Sequence, residues 1–177
     1  MQRRAVSGKN RWVLLPLLLL TLSACQAGEQ RLSFNTIARS EPQYLGTSYW
    51  QEEPAIQVIA RPEEIDDPAQ TILAQDRELA EQLRALDYER VFALLVLHGY
   101  VGSTGYSVTV LRIAREGDQV TVRAELGAPA MGTRTMPAFT SPYHLVAVSK
   151  KGTWGKEFRF VLLAGDQPVA ERSHFIP

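Results

Sequence analysis

The sequence predicts a mainly β protein, an antiparallel β-sandwich or open barrel with one packed α-helix. Three observations carry that reading. Beyond Asp87, apolar residues come in short runs or strict alternation, broken at regular intervals by glycine-containing turns. One segment, at about 68–86, has helical periodicity. The composition, 45% hydrophobic and 21% charged over 177 residues, suits one globular domain and excludes disorder throughout.

The chain opens with Arg3, Arg4, Lys9 and Arg11 ahead of an apolar run from Trp12 to Leu22. Those 11 residues fall short of the about 20 needed to cross roughly 30 Å of hydrocarbon. Residues 1–24 therefore read as an exported leader. The run ends in Leu22-Ser23-Ala24-Cys25, which looks like a bacterial lipobox: small residues fit the signal peptidase, and the Cys25 thiol receives diacylglyceryl before cleavage. An ordinary leader with a chance cysteine is the competing reading. The single cysteine of the chain stands at the required position, and that favours lipidation. One cysteine closes no intrachain disulfide, and no CxxC pair is present to hold a structural zinc.

Removing 24 residues leaves 153, with 15 basic and 19 acidic side chains and a net charge of −4. Phosphate-backbone binding depends on clustered cations, so nucleic acid is not an expected partner. Membrane attachment is expected through the acyl chains of Cys25. Gln26 in place of Asp after the cysteine, by resemblance to enterobacterial lipoproteins, favours the outer membrane facing the periplasm; inner-membrane retention is the alternative.

Residues 25–31 read as the lipidated cysteine and a short tether, and 32–177 as a single β-rich domain. Strands are expected at 32–37, 44–50 and 56–60, separated by Ser40-Glu41-Pro42 and Glu52-Glu53-Pro54. Asp67-Pro68-Ala69-Gln70 supplies an N-cap, a proline at the first helical position and a capping-box glutamine. In the helix that follows, Ile72, Leu79, Leu83 and Leu86 share one face, which must pack on something apolar. Val91–Leu97 is a continuous apolar run ended by His98-Gly99, as for a strand buried on both faces. Alternation over 106–114 and 119–126 around Glu116-Gly117-Asp118 is a hairpin. Further strands are expected at 143–149, 158–163 and 169–175, without internal repeats or low-complexity tracts.

If successive strands run antiparallel, their connections alternate between the two ends of the sandwich. Loops 98–105, 127–141 and 164–168 then share one end, and binding sites favour loops on a rigid scaffold. Gly99, Gly102 and Gly105 match neither the P-loop nor the dinucleotide fingerprint, and a strand follows them, so they read as positive-φ turn residues and no cofactor is expected. The histidines at 98, 144 and 174 lie 46 and 30 residues apart, a spacing that supports no metal site. Ser103 and Ser141 sit in no G-x-S-x-G elbow. His98 and His144 read as strand-end residues bonded to backbone, and no catalytic residue is expected. A remote alternative is an envelope hydrolase using Ser141 and His144.

Three stretches resemble the PrcB C-terminal-domain family over about 56–175: Ile56-Gln57-Val58-Ile59-Ala60-Arg61-Pro62-Glu63-Glu64, Val91–Tyr106 running into Ser107-Val108, and Thr140-Ser141-Pro142-Tyr143-His144-Leu145-Val146. The family usually shows Thr-Gly-Gly-Tyr-Ser at the turn; here Thr104 replaces one glycine in Ser103-Thr104-Gly105-Tyr106-Ser107. The resemblance implies a non-catalytic domain assisting a partner in the cell envelope, as in a lipoprotein subunit of a surface protease complex. Ser103-Thr104-Gly105-Tyr106 is also similar to the Thr-Thr-Gly-Tyr loop of chagasin-type cysteine-peptidase inhibitors. Against that, Val108 stands where a tryptophan would follow, and the second and third inhibitor loops have no counterparts.

The expectation is thus a lipid-anchored protein-binding module that assists assembly or stability of a partner such as a surface protease, with an inhibitor as the alternative. Candidate contact residues are Tyr100, Ser103, Thr104, Gly105, Tyr106, Phe139, Ser141, Tyr143 and His144, with Met131 and Met136 beside them, because aromatic and methionine side chains concentrate interface energy.

Overall fold

The computed structural model describes residues 28–40, 52–66 and 77–177. Two sheets stack face to face. The first contains β1 (Gln30–Leu32), β6 (Ser107–Glu116), β7 (Gln119–Gly127), β10 (Lys156–Ala164) and β11 (Gln167–Ile176), in the order β1-β6-β7-β10-β11. The second contains β2 (Phe34–Arg39), β9 (Tyr143–Ser149), β4 (Val91–Leu97) and β3 (Ala55–Ile59), in the order β2-β9-β4-β3. A separate pair, β5 (Val101–Ser103) and β8 (Pro137–Thr140), stands at one end. Among the described residues the sheets do not close into a barrel.

The unbroken apolar run of β4 is explained by its position. Phe92, Leu94 and Val96 face the first sheet, meeting Val110, Val122, Phe158 and Phe160 in the main core. Ala93, Leu95 and Leu97 face the other way, where Leu79, Ala80 and Leu83 of the helix Arg77–Arg84 cover them together with Ile65. A strand buried on both faces has no solvent side for polar residues. Each large side chain removed from water here contributes roughly 1.5–3 kcal/mol.

The hairpin β6–β7 pairs as expected, with a bulge between Val110 and Arg112. One departure concerns direction. β10 runs parallel to β7, with Arg159 opposite Gln119 and Ala164 opposite Ala124. Between them the chain crosses to the second sheet and returns through β9, so β7 and β10 point the same way although each chain reversal is ordinary. The sandwich is therefore not antiparallel throughout, and the grouping of loops by end is preserved.

The expected tether boundary at residue 31 moves. Gln30, Arg31 and Leu32 pair with Arg115, Ala114 and Ile113 at the edge of the first sheet, backbone bonding that needs no apolar pattern. Ser33 then carries the chain across to the second sheet, its carbonyl accepting from Ser149 N–H at 2.9 Å, so the expected strand 32–37 is two strands. The helix ends at Arg84, short of Leu86, which follows in a turn yet still packs on the helix-side cluster. The leader, Cys25, the expected strand 44–50 and the expected helix start at Asp67-Pro68 lie outside the described residues. Among the described residues no helix is long and apolar enough to cross a membrane.

Candidate binding edge

Two connections meet at one end of the sandwich. Segment 98–106 leaves β4, and segment 128–142 joins β7 to β9. Loops were expected at 98–105 and 127–141; each connection instead contains a short strand, and β5 and β8 pair through Val101 opposite Thr140 and Ser103 opposite Pro137. Thr104 N–H donates to the Met136 carbonyl and Met136 N–H donates to Thr104 Oγ1, both at 3.0 Å. Thr104 is therefore buried as a clamp between the two segments. Its hydroxyl does work that a glycine at the same place could not.

Two glycines shape this end. Gly99 has φ +90°, and a Cβ there would stand 2.7 Å from the Glu53 carbonyl carbon. Gly105 has φ +98°, and a Cβ would stand 2.9 Å from Pro129 Cβ. A side chain at either position meets both a disfavoured backbone conformation and a close neighbour.

Above this framework the Tyr100 and Phe139 rings stack, with centroids 5.3 Å apart and planes 21° from parallel. Tyr100 is 37% exposed and Phe139 68% exposed, and Met131 and Met136, in the same connection as Phe139, are exposed as well. Tyr106 meets His98 edge-on at 5.3 Å, and burial holds the His98 pKa below the ordinary imidazole value. Ser103 and Gly105 are half-buried in the same edge.

Three expected contact residues take other parts. Tyr143 packs against the helix-side cluster. Ser141 is buried, and its hydroxyl has no hydrogen-bond partner among the described residues. His144 is buried inside the sandwich: Val110 N–H donates to Nδ1 at 2.9 Å, so the proton sits on Nε2, which donates to Thr36 Oγ1 at 2.9 Å. Burial, with the Arg39 charge adding to it, pushes the His144 pKa down to about 4. With both ring nitrogens engaged, His144 has no lone pair to take a proton from Ser141. The hydrolase pairing of Ser141 with His144 is not formed in this arrangement. Thr104, Ser141 and His144 are thus buried, in contrast to the exposed Tyr100 and Phe139. Among the described residues no group of three or more His, Cys, Asp or Glu side chains stands close enough to share a metal.

The sequence reading missed the β5–β8 pairing and the part Thr104 plays in it. Its only signal was the polar Ser103-Thr104 ahead of Gly105. Strands of three and four residues carry too little periodicity to be recognised.

Fold and site together define a two-sheet β-sandwich whose connections at one end are consolidated into an ordered edge carrying exposed aromatic and methionine side chains. Residues 94–149, which run from within β4 through this edge and the hairpin to the end of β9, match the family model described as PrcB C-terminal. The family resemblance noted in the sequence is thereby supported, over about a third of the chain. No curated relative and no solved structure matches the chain.

Proposed function

We propose that this protein is a lipid-anchored cell-envelope module that binds a partner protein through the edge formed by residues 98–106 and 128–142, and assists assembly or stability of that partner, a surface protease being the leading case. The observation that carries the reading is the exposed Tyr100–Phe139 stack set across two segments that are themselves clamped together. Such a rigid aromatic pair loses little conformational freedom on binding, which is the property of interface anchors. The family match is consistent with a module associated with a protease complex. Outer-membrane attachment facing the periplasm completes the reading, through Cys25.

The test is capture of the native partner by the lipidated protein from its own envelope. Tyr100→Ala combined with Phe139→Ala should weaken capture by about 2 kcal/mol or more, roughly thirtyfold, with little change in unfolding. Undiminished capture by a folded double variant would sink the reading. An inhibitor of the chagasin type would instead reduce papain-like peptidase activity in proportion to dose.

A further inference from the structure

The connection from β7 to β9 also holds the chain's thioethers. Apart from Met1, its methionines are Met131 and Met136. Met131 lies in a turn closed by Thr133 N–H, which donates to the Ala130 carbonyl at 3.0 Å. Gly132, the third residue of that turn, has φ +84°, and among the described residues no residue other than glycine takes a positive φ. Positive φ at the third position alone is the geometry of a type II turn, which sets Met131 at the corner before the glycine. Its side chain is fully exposed. Met136 is 61% exposed, although its backbone is held to Thr104 through both its N–H and its carbonyl. Neither side chain belongs to the two hydrophobic clusters.

Exposure governs which methionine is oxidised, because the oxidant must reach the sulfur lone pair. With hydrogen peroxide the sulfur attacks one peroxide oxygen, and the S–O bond forms as the O–O bond breaks. The proton of the transferred hydroxyl passes to the departing hydroxide, which leaves as water. Sulfur loses the two electrons that the peroxide gains. The product is a sulfoxide, a polar group with a strong hydrogen-bond acceptor where an apolar thioether stood. Pressed against an apolar partner surface without a donor, that oxygen costs free energy. The fold itself does not register the change, since both side chains stand outside the cores and Thr104 holds Met136 by its backbone.

We propose that Met131 and Met136 are oxidation sites for hydrogen peroxide, and that their conversion to sulfoxides releases the partner held at this edge. The inference rests on the binding-edge reading and adds the regulation of that same site. Return to the thioether requires an external thiol reductase. Two thiols supply two electrons and two protons, the sulfoxide oxygen leaves as water, and the thiols become a disulfide.

The experiment treats the full lipidated chain, in peroxide-free non-ionic detergent, with hydrogen peroxide. Peptide mass mapping locates the added oxygen, and capture of the partner from the solubilised envelope is measured before and after. One oxygen is expected on each of Met131 and Met136, at the rate the same residues show in the urea-unfolded chain. The urea midpoint should stay the same while capture weakens about tenfold or more. Methionine sulfoxide reductase with dithiothreitol should restore capture. Met131→Leu combined with Met136→Leu keeps the edge apolar without an oxidisable sulfur, and should capture equally before and after peroxide. Full capture by the doubly oxidised protein, or an equal loss in the leucine variant, overturns the inference and leaves the binding-edge reading standing. Slow oxidation of both sulfurs relative to the unfolded chain overturns it as well. Undiminished capture by untreated Tyr100→Ala combined with Phe139→Ala is a different result, which sinks the binding-edge reading and this regulation together.

Discussion

His144 connects three strands through one imidazole, reaching Thr36 on β2 and Val110 on β6 from its own place on β9. That bonding requires the neutral ring. Because the folded pKa of about 4 lies below the ordinary value of 6.5, the unfolded chain binds the proton more readily between those two values. Stability from this group is fully present above pH 6.5 and is lost as pH falls toward 4. The shift corresponds to about 3 kcal/mol. His144→Gln should therefore be less stable at neutral pH and show a flatter loss on acidification, measured as urea unfolding free energy from pH 7 to 4. Parallel profiles for the two proteins would mean that His144 does not titrate in this way. The residue scale also shows what a single sequence leaves open: a strand-end histidine bonded to backbone was legible from type and position, but its partners lie 108 and 34 residues away.

At the scale of elements, the helix Arg77–Arg84 exists to cover the outer face of the second sheet. Leu83 is fully buried and Leu79 nearly so, against Leu95, Leu97 and Leu145, while Glu78, Glu81 and Gln82 are exposed. Replacing either leucine by aspartate buries an unpaired charge and should cost several kcal/mol, on the order of 3–5. Gln82→Asp, on the exposed side, should change the urea midpoint little. If Leu83→Asp and Gln82→Asp unfold alike, the helix does not seal the sheet. The apolar spacing of this helix was legible because 3.6-residue periodicity records which side faces the core. The hairpin was legible for the same reason at period two, its turn marked by Gly117 at φ +58°. β1, β5 and β8 were not, since three or four residues held mainly by backbone pairing leave no periodic trace.

On the scale of the whole molecule, the two ends are distinct. Gln30 lies beside Arg115 at one end, while Gly127 is opposite Ser107 at the other, with the length of β6 between them. A chain attached through Cys25 would thus carry its aromatic edge on the side away from the attachment, at about 30 Å for a strand of this length. Cys25→Ser should abolish lipidation and leave unprocessed precursor, because no other thiol can take the lipid. Fractionation into detergent decides it: a mature-size serine variant in the detergent phase would overturn the lipoprotein reading.

Local chemistry in the chain was enough to determine the mainly β class, the helix face, the hairpin, the two-sided burial of β4 and the family resemblance, because each depends on near neighbours or on a periodic pattern of solvent exposure. Loop sidedness also followed, from parity of strand direction alone. The tertiary structure decided which residues of the edge face outward. Tyr100 and Phe139 are exposed and stacked, whereas Thr104, Ser141 and His144 are buried. It also brought Arg115 between Trp154 and Phe158, residues some 40 positions further along the chain. Those outcomes depend on pairings between distant segments, and a single sequence carries no periodic signal for which distant segments will meet.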